Sequence, residues 1–195
     1  MILRFFRRDG GRETIQRLYG AIVAQSRDPV FYTDYGVPDS IAGRFEMILL
    51  HAFLLFHRLK EESEERRELG QRVFDAFCID MDANLREMGV GDLTVPKKMK
   101  KVAEAFYGRV AAYDGALASA GQTSAREAPE DPLQDALLRN VYESDPAFAP
   151  QAARLAAFVR RAATALAAVP FETFAGGAFP LPPAMDPHIR ELATP

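Results

Sequence analysis

MILLHAFLLF, at residues 47–56, is the most apolar stretch of this 195-residue chain. Its length is about half of what a membrane-crossing helix needs, and charged or basic residues flank it on both sides. A helix that is apolar on most of its circumference has to be surrounded by other helices. We therefore predict a central core helix that begins at Asp39 or Ser40 and ends at about Lys60.

Apolar residues at spacings of three and four predict the other helices. Pro29 ends the first of these helices and Pro170 ends the last. The predicted segments are Gly11 to Arg27, about Glu61 to Gly89, Thr94 to about Ala118, Asp131 to Val141 and about Pro150 to Val169. Residues 28–38 and 119–130 are predicted loops. No segment shows a convincing alternation of apolar and polar residues, which would be typical of a strand. The sequence therefore predicts an all-α fold of about six helices.

The composition predicts one compact domain at residues 11–170, between a flexible segment at 1–10 and an extended tail at 171–195. The tail is rich in proline and glycine, so neither a long helix nor a central strand can form there. With 48% hydrophobic residues the chain is long enough to hide roughly 70% of its extended surface on folding. A net charge of -3 with 26% charged residues indicates neither a DNA-binding protein nor a disordered acidic one.

Residues that could carry out catalysis or bind a metal are sparse. His51 and His57 are six positions apart and would point in different directions from one helix, and His188 stands alone in the tail. The single cysteine, Cys78, lies in an apolar stretch typical of a buried thiol. No Glu-x-x-His pair, phosphate-binding loop or nucleophile motif occurs. We therefore predict no catalytic residues, no metal and no cofactor, and a structural role for His51.

Two basic segments are candidates for recognition. Lys97, Lys98, Lys100 and Lys101 lie at the start of a predicted helix, where their charge opposes the helix dipole and gains nothing for local stability. On an anionic lipid surface they would contribute about 1 kcal/mol each, or roughly three decades of affinity together. The first residues could add an interfacial anchor, made of Leu3, Arg4, Phe5, Phe6, Arg7 and Arg8. Binding of RNA or a ribosome is also compatible with the lysines.

Two blocks of sequence carry a family resemblance. The first contains YGVPDS at residues 35–40, RFE at 44–46 and LLHAFLLFHRL at 49–59. The second contains DANLREMGVGD at residues 82–92, VPKKMK at 95–100 and FYGR at 106–109. In the order and spacing of these blocks the chain resembles the ubiquinol-cytochrome c chaperone family, whose mitochondrial members are assembly factors for the cytochrome bc1 complex.

The resemblance implies an all-helical chaperone without enzymatic activity that binds newly made cytochrome b and assists its maturation. A ribosome or a small helical co-chaperone is implied as a further partner, because mitochondrial members act with such a protein near the ribosomal tunnel exit. The chain lacks the long N-terminal targeting region of the mitochondrial forms. We therefore expect a cytoplasmic protein of the family's bacterial branch, with weak peripheral contact to the inner face of the membrane.

The predicted partner-binding residues combine the basic cluster with positions from the family-like blocks. They are Lys97, Lys98, Lys100, Lys101 and Arg109, with His51 and Arg58 added from the first block. A rival hypothesis is a helical protein or enzyme that binds haem or another small ligand through His51, and it requires a large internal pocket that reaches this ring. A third hypothesis is a homodimeric interaction module.

Overall fold

The computed structural model of the protein describes residues 8–119 and 131–184. Its helices are α1 (Arg8–Ser26), α2 (Pro29–Thr33), α3 (Ile41–Leu59), α4 (Glu64–Glu87), α5 (Val95–Ser119), α6 (Pro132–Val141), α7 (Ala149–Ala167) and α8 (Phe171–Ala175), with a 3₁₀ turn at Pro146–Phe148. The described residues contain no strand. The all-α prediction is confirmed, and the six longer helices correspond to the six that the periodicity indicates.

Helix α3 forms the centre of the fold. It packs against α1, α4, α5, α6 and α7, and every residue from Glu46 to Leu55 is buried. This arrangement confirms the prediction of a central core helix that is surrounded by other helices. None of the described helices is both long enough and apolar enough to cross a bilayer.

The start of α3 is fixed by a tight turn. Ser40 caps the helix, because its hydroxyl oxygen accepts a hydrogen bond from the Gly43 amide at 3.1 Å. A Cβ atom on Gly43 would lie 2.0 Å from the carbonyl oxygen of Pro38. Only glycine therefore allows the chain to fold back so closely before the helix begins.

Residues 28–38 contain a helix that periodicity does not predict. Asp28 accepts a hydrogen bond from the Val30 amide at 3.0 Å, and Pro29 occupies the first helical position. These two residues start α2, a single turn that buries Phe31. The prediction of a loop throughout this segment is wrong, because a cap and a proline suffice for a helix too short to show a period.

The tail lies along the helices as far as Ala184. Phe174, Phe179 and Ala184 are buried, and their segment is hydrogen-bonded to two earlier elements. Gln25 donates its amide hydrogen to the Phe179 carbonyl at 2.7 Å, and the Tyr35 hydroxyl donates to the Ala184 carbonyl at 2.5 Å. The division into a domain at 11–170 and a tail at 171–195 stays a prediction.

Candidate partner-binding surface

Helices α4 and α5 form an antiparallel hairpin that is fixed to the core at one end. Its root is an aromatic cluster in which the Phe106 ring lies 4.6 Å from Phe74 and 5.0 Å from Phe56, measured between ring centroids. The two helices have 24 and 25 residues, about 36 Å at 1.5 Å per residue, whereas α3 with 19 residues measures about 28 Å. We call residues 79–101 the hairpin tip.

The hairpin tip exposes large apolar side chains. Ile79 is 72% exposed, Met88 59% and Leu93 91%, while Tyr107 follows on α5 at 50%. Among the described residues only one other large apolar side chain, Ile41, is comparably exposed. The apolar exposure of this protein is therefore concentrated on one hairpin, which is typical of an interaction site.

The turn at the tip is a defined structure. Gly89 has φ +80°, a left-handed conformation that favours glycine, and the Val90 amide donates to the Leu85 carbonyl at 3.0 Å. Arg86 pairs with Asp82 at 2.5 Å and also with Asp92 across the turn. Leu93 is thus held in solvent by a hydrogen-bonded turn rather than by fraying of the helix end.

The lysine cluster lies at the same end of the hairpin. The chain has five lysines, and four of them are Lys97, Lys98, Lys100 and Lys101. All four are exposed on the first turns of α5, and Lys100 lies 3.7 Å from the Glu104 carboxylate. The structure therefore brings the predicted lysines together and places apolar side chains beside them.

Arg109 has an internal partner. Its Nε and Nη2 donate to the two carboxylate oxygens of Glu46, at 3.0 and 2.6 Å, and this fork joins α5 to α3. The Glu46 side chain is 10% exposed and the Arg109 side chain 26%. The carboxylate raises the pKa of the Arg109 guanidinium. Two donor nitrogens of Arg109 are thus engaged within the fold, and its contact with a partner stays a prediction.

His51 is fully buried, so its ring is not accessible on the surface of this structure, and its contact with a partner stays a prediction. Its Nδ1 lies 2.8 Å from the Met47 carbonyl oxygen, which can only accept, so Nδ1 carries the hydrogen. Burial lowers the pKa of the ring to about 4 and keeps it neutral. The expectation of a histidine held by a backbone group is confirmed.

Arg58 is also engaged within the protein. Its Nη2 donates to the Val169 carbonyl at 2.9 Å, and its Nη1 donates to Glu62 at 2.8 Å. The guanidinium carbon lies 5.5 Å from the centroid of the Phe174 ring. Arg58 thus joins α3 to the end of α7 and to the tail, and a surface role for it has no support in these contacts.

The cavity that reaches His51 has a volume of about 190 Å³. Pockets for ligands of drug size usually measure about 300 to 1,000 Å³, so the large pocket that the haem hypothesis requires is not found in the described residues. These residues also contain no group of three acidic, histidine or cysteine side chains that could hold a metal ion. The pKa of the Cys78 thiol is raised by burial, which does not favour a nucleophile.

A further groove lies between α5 and α7. Its volume is about 430 Å³, and its lining includes His57, Lys60, Leu117 and Arg160. Asp114 binds both His57 Nδ1, at 2.5 Å, and Lys60, at 2.9 Å, and these partners lower the pKa of its carboxyl group against the opposing effect of burial. These contacts give His57 a structural hydrogen bond on the rim of the groove.

Some predicted residues lie outside the part of the chain that the structure describes. They are residues 3–7 of the proposed membrane anchor, His188 and residues 120–130 of the predicted loop. Arg8 begins α1, but its side chain is likewise outside the description. The membrane contact of residues 3–8 therefore stays a prediction.

Sequence reasoning missed the exposed apolar residues of the hairpin. The periodic stripe along α4 continues to Met88, and periodicity alone assigns the whole stripe to the core. The signal that could have found them is length, because helices of 24 and 25 residues project beyond a partner of 19.

Comparisons with known proteins agree on one group of relatives. The sequence model of the ubiquinol-cytochrome C chaperone family matches residues 33–181. A solved structure described as the Cbp3 homolog from Brucella abortus is 40% identical, with a TM-score of 0.78, and the match covers 94% of this chain and 98% of that one.

Two curated relatives are ubiquinol-cytochrome-c reductase complex assembly factor 1 from Xenopus laevis and from Mus musculus. The first is 22% identical over 103 residues, which are 53% of this chain and 52% of the relative. The second is 25% identical over 130 residues, which are 63% of this chain and 44% of the relative. The chain thus spans about half the length of these curated relatives.

Proposed function

We propose that this chain, which belongs to the ubiquinol-cytochrome C chaperone family, is an assembly factor for a ubiquinol-cytochrome c reductase complex. The names of the two curated relatives and the similarity to the Cbp3 homolog support the assignment. The role requires binding and not catalysis. By binding a subunit that has not yet assembled, the protein lowers the concentration of free subunit that could aggregate.

One observation supports the proposal most: the hairpin tip combines exposed apolar side chains with a lysine cluster. Met88 and Leu93 can contact apolar segments of a client, and methionine adapts to different shapes because its side chain is unbranched and polarisable. Lys97, Lys98 and Lys101 can pair with acidic groups of the client or of a lipid headgroup. The tip therefore suits a membrane protein that has left the ribosome but has not yet been assembled.

The client that we propose is newly made cytochrome b. It is the apolar, membrane-embedded subunit for which the family resemblance implies a chaperone, and apolar segments need shielding before assembly. A ribosome or a small helical co-chaperone stays a proposed second partner. The lysines would supply about 1 kcal/mol each toward an anionic membrane, which favours reversible attachment at the cytoplasmic face.

Co-purification tests this proposal. The tagged protein is recovered from gently solubilised native membranes, and the bound proteins are identified by mass spectrometry. Cytochrome b should be enriched with the wild-type protein and reduced when Lys97, Lys98, Lys100 and Lys101 are replaced by Ala. Its absence even after chemical crosslinking would contradict the client assignment.

A matched control separates the position of the charges from their number. Replacing the exposed Arg12, Arg67, Arg139 and Arg154 by Ala removes the same four charges elsewhere on the protein. This variant should retain cytochrome b. If both variants retain it equally, the client assignment stands and the lysine contact is refuted. Light scattering of the purified protein tests the rival homodimer, which would cover the tip with a second copy.

A further inference from the structure

A cavity of about 190 Å³ lies beside the buried face of α3. Side chains of α1, α2, α3 and α7 and the residue before α2 form its walls, and residues 181–184 of the tail cover it. This volume is well above the roughly 15 Å³ that a single water molecule needs. The function proposed above makes no use of the cavity.

His51 lines this cavity and has one ring nitrogen without a partner. Because its Nδ1 donates to Met47, the neutral ring carries a bare lone pair on Nε2. Nε2 is buried and has no partner within the described protein. Leaving a buried polar atom unpaired costs about 1–3 kcal/mol, so this orientation favours a donor in the cavity.

Gln25 presents a second acceptor. Its Nε2 donates to the Phe179 carbonyl at 2.7 Å, which fixes the orientation of the amide. Its Oε1 is buried and has no protein partner among the described residues. The two side chains thus use their donors within the fold, and each leaves one buried acceptor unpaired beside the cavity that both line.

The cover adds few donors, and the walls favour positive charge. Pro182 and Pro183 have no amide hydrogen, and the Leu181 amide donates to the Phe179 carbonyl at 3.1 Å. Asp28 lines the cavity, together with Phe31 and Phe158. Aromatic faces and a carboxylate attract cations.

A nearby cation is held at the edge of this wall. The guanidinium carbon of Arg161 lies 5.9 Å from the centroid of the Phe158 ring, and its Nη2 donates to the Ala184 carbonyl at 3.4 Å. Arg161 therefore helps to hold the cover in place. The lining of the cavity includes His51, Gln25 and Asp28 but not Arg161.

We infer that this cavity binds a compact cationic hydrogen-bond donor, either a primary ammonium or a guanidinium group. Such a group donates at once to His51 Nε2 and Gln25 Oε1 and is balanced by Asp28. A free small amine and a lysine or arginine side chain of a partner protein both present this chemistry. The inference does not rest on the client proposed above.

Nuclear magnetic resonance of the His51 ring nitrogens tests the inference. The full chain is titrated with n-butylammonium chloride and, separately, with methylguanidinium chloride, and tetramethylammonium chloride provides equal charge without N–H donors. We expect a saturable shift of Nε2 with the two donors and none with tetramethylammonium. The absence of a saturable shift at millimolar concentrations, or an equal shift with tetramethylammonium, would overturn the inference.

A conservative variant tests the role of charge. In Asp28→Asn the side-chain oxygen can still accept from the Val30 amide and cap α2, but the negative charge is removed. Binding should weaken about tenfold, as expected for the loss of a charge-assisted contact. Unchanged binding in a variant with a native spectrum would contradict the assignment to this cavity.

An experiment with short peptides distinguishes the two possible sources of the cation. Short peptides that contain lysine are compared with peptides in which norleucine replaces lysine. If the lysine peptide shifts Nε2 and displaces butylammonium, the source is a protein side chain; if only the small amines bind, it is a free amine. The four-lysine variant of the hairpin tip should titrate like the wild type, so failure of the client proposal leaves this result intact.

Discussion

Gly43 shows how one missing side chain permits the entry into the central helix. An alanine Cβ at this position would lie 2.0 Å from the Pro38 carbonyl oxygen, which is backbone and cannot easily move. We expect Gly43→Ala to lower the free energy of unfolding by about 2–4 kcal/mol in urea titrations. Gly108→Ala is the matched control, because nothing lies within 4 Å of its Cβ. That substitution, inside α5, should stabilise the protein by up to about 1 kcal/mol.

His51 makes stability depend on pH in a defined direction. Burial lowers its pKa from 6.5 to about 4, so between these values the unfolded chain binds a proton that the folded chain does not. The free energy of unfolding therefore rises with pH across this window. The contribution is fully present above pH 6.5 and is lost as the pH falls toward 4.

We expect the wild type to lose about 2 kcal/mol between pH 6.5 and pH 5 from this residue alone. Urea unfolding of wild type and His51→Gln at several pH values measures the difference between their slopes. The paired carboxylates of Glu62, Asp114 and Asp131 have lowered pKa values and act mostly below this window. Equal slopes for the two proteins would show that His51 is not held neutral by the fold.

At the scale of the elements, the ion pair between Arg109 and Glu46 joins the hairpin to the central helix. Arg109→Met leaves the Glu46 carboxylate buried without its partner, and we expect a loss of about 3 kcal/mol in the free energy of unfolding. The double variant Arg109→Met with Glu46→Gln removes both charges and should recover much of this loss. If the double variant is no more stable than the single one, the cost lies in packing and not in the unpaired charge.

Substitutions at the hairpin tip should change the free energy of unfolding much less than a substitution at its root. Met88→Ser and Leu93→Ser remove exposed apolar surface, and each should change the free energy of unfolding by less than about 0.5 kcal/mol. Phe106→Ala removes a buried ring of the aromatic cluster and should cost about 3–5 kcal/mol. Thermal unfolding of the three variants tests this contrast. A large loss in Leu93→Ser would mean that the side chain is packed and is not available to a partner.

For the whole molecule, the sequence predicts most of the helices but not the roles of the polar side chains. Periodicity locates α3 because its burial follows from its own composition. It cannot locate the partner of Arg109, since Glu46 is 63 residues away along the chain. For the same reason it cannot reveal the internal hydrogen bonds of Arg58 and His51, which the family-like block offered as partner-binding residues. The exposure of Leu93 depends on the turn between α4 and α5, whose geometry a helical pattern does not reveal.

The root of the hairpin attaches it to the core, and the tip exposes side chains to solvent. The aromatic cluster and the Arg109 ion pair hold the hairpin rigidly on the core. Met88, Leu93 and the lysines at its far end remain accessible. The protein thus presents an apolar and cationic surface at one end of a hairpin that is packed on the core at the other.

Site-specific photocrosslinking tests most directly whether the hairpin tip binds the client. A photoreactive amino acid is placed at Leu93 and, as a control, at the exposed Gln16 on α1, and both proteins are expressed in cells that make the complex. The account predicts a crosslink to cytochrome b from position 93 and little or none from position 16. Cytochrome b crosslinked equally from both positions, or only from position 16, would contradict it.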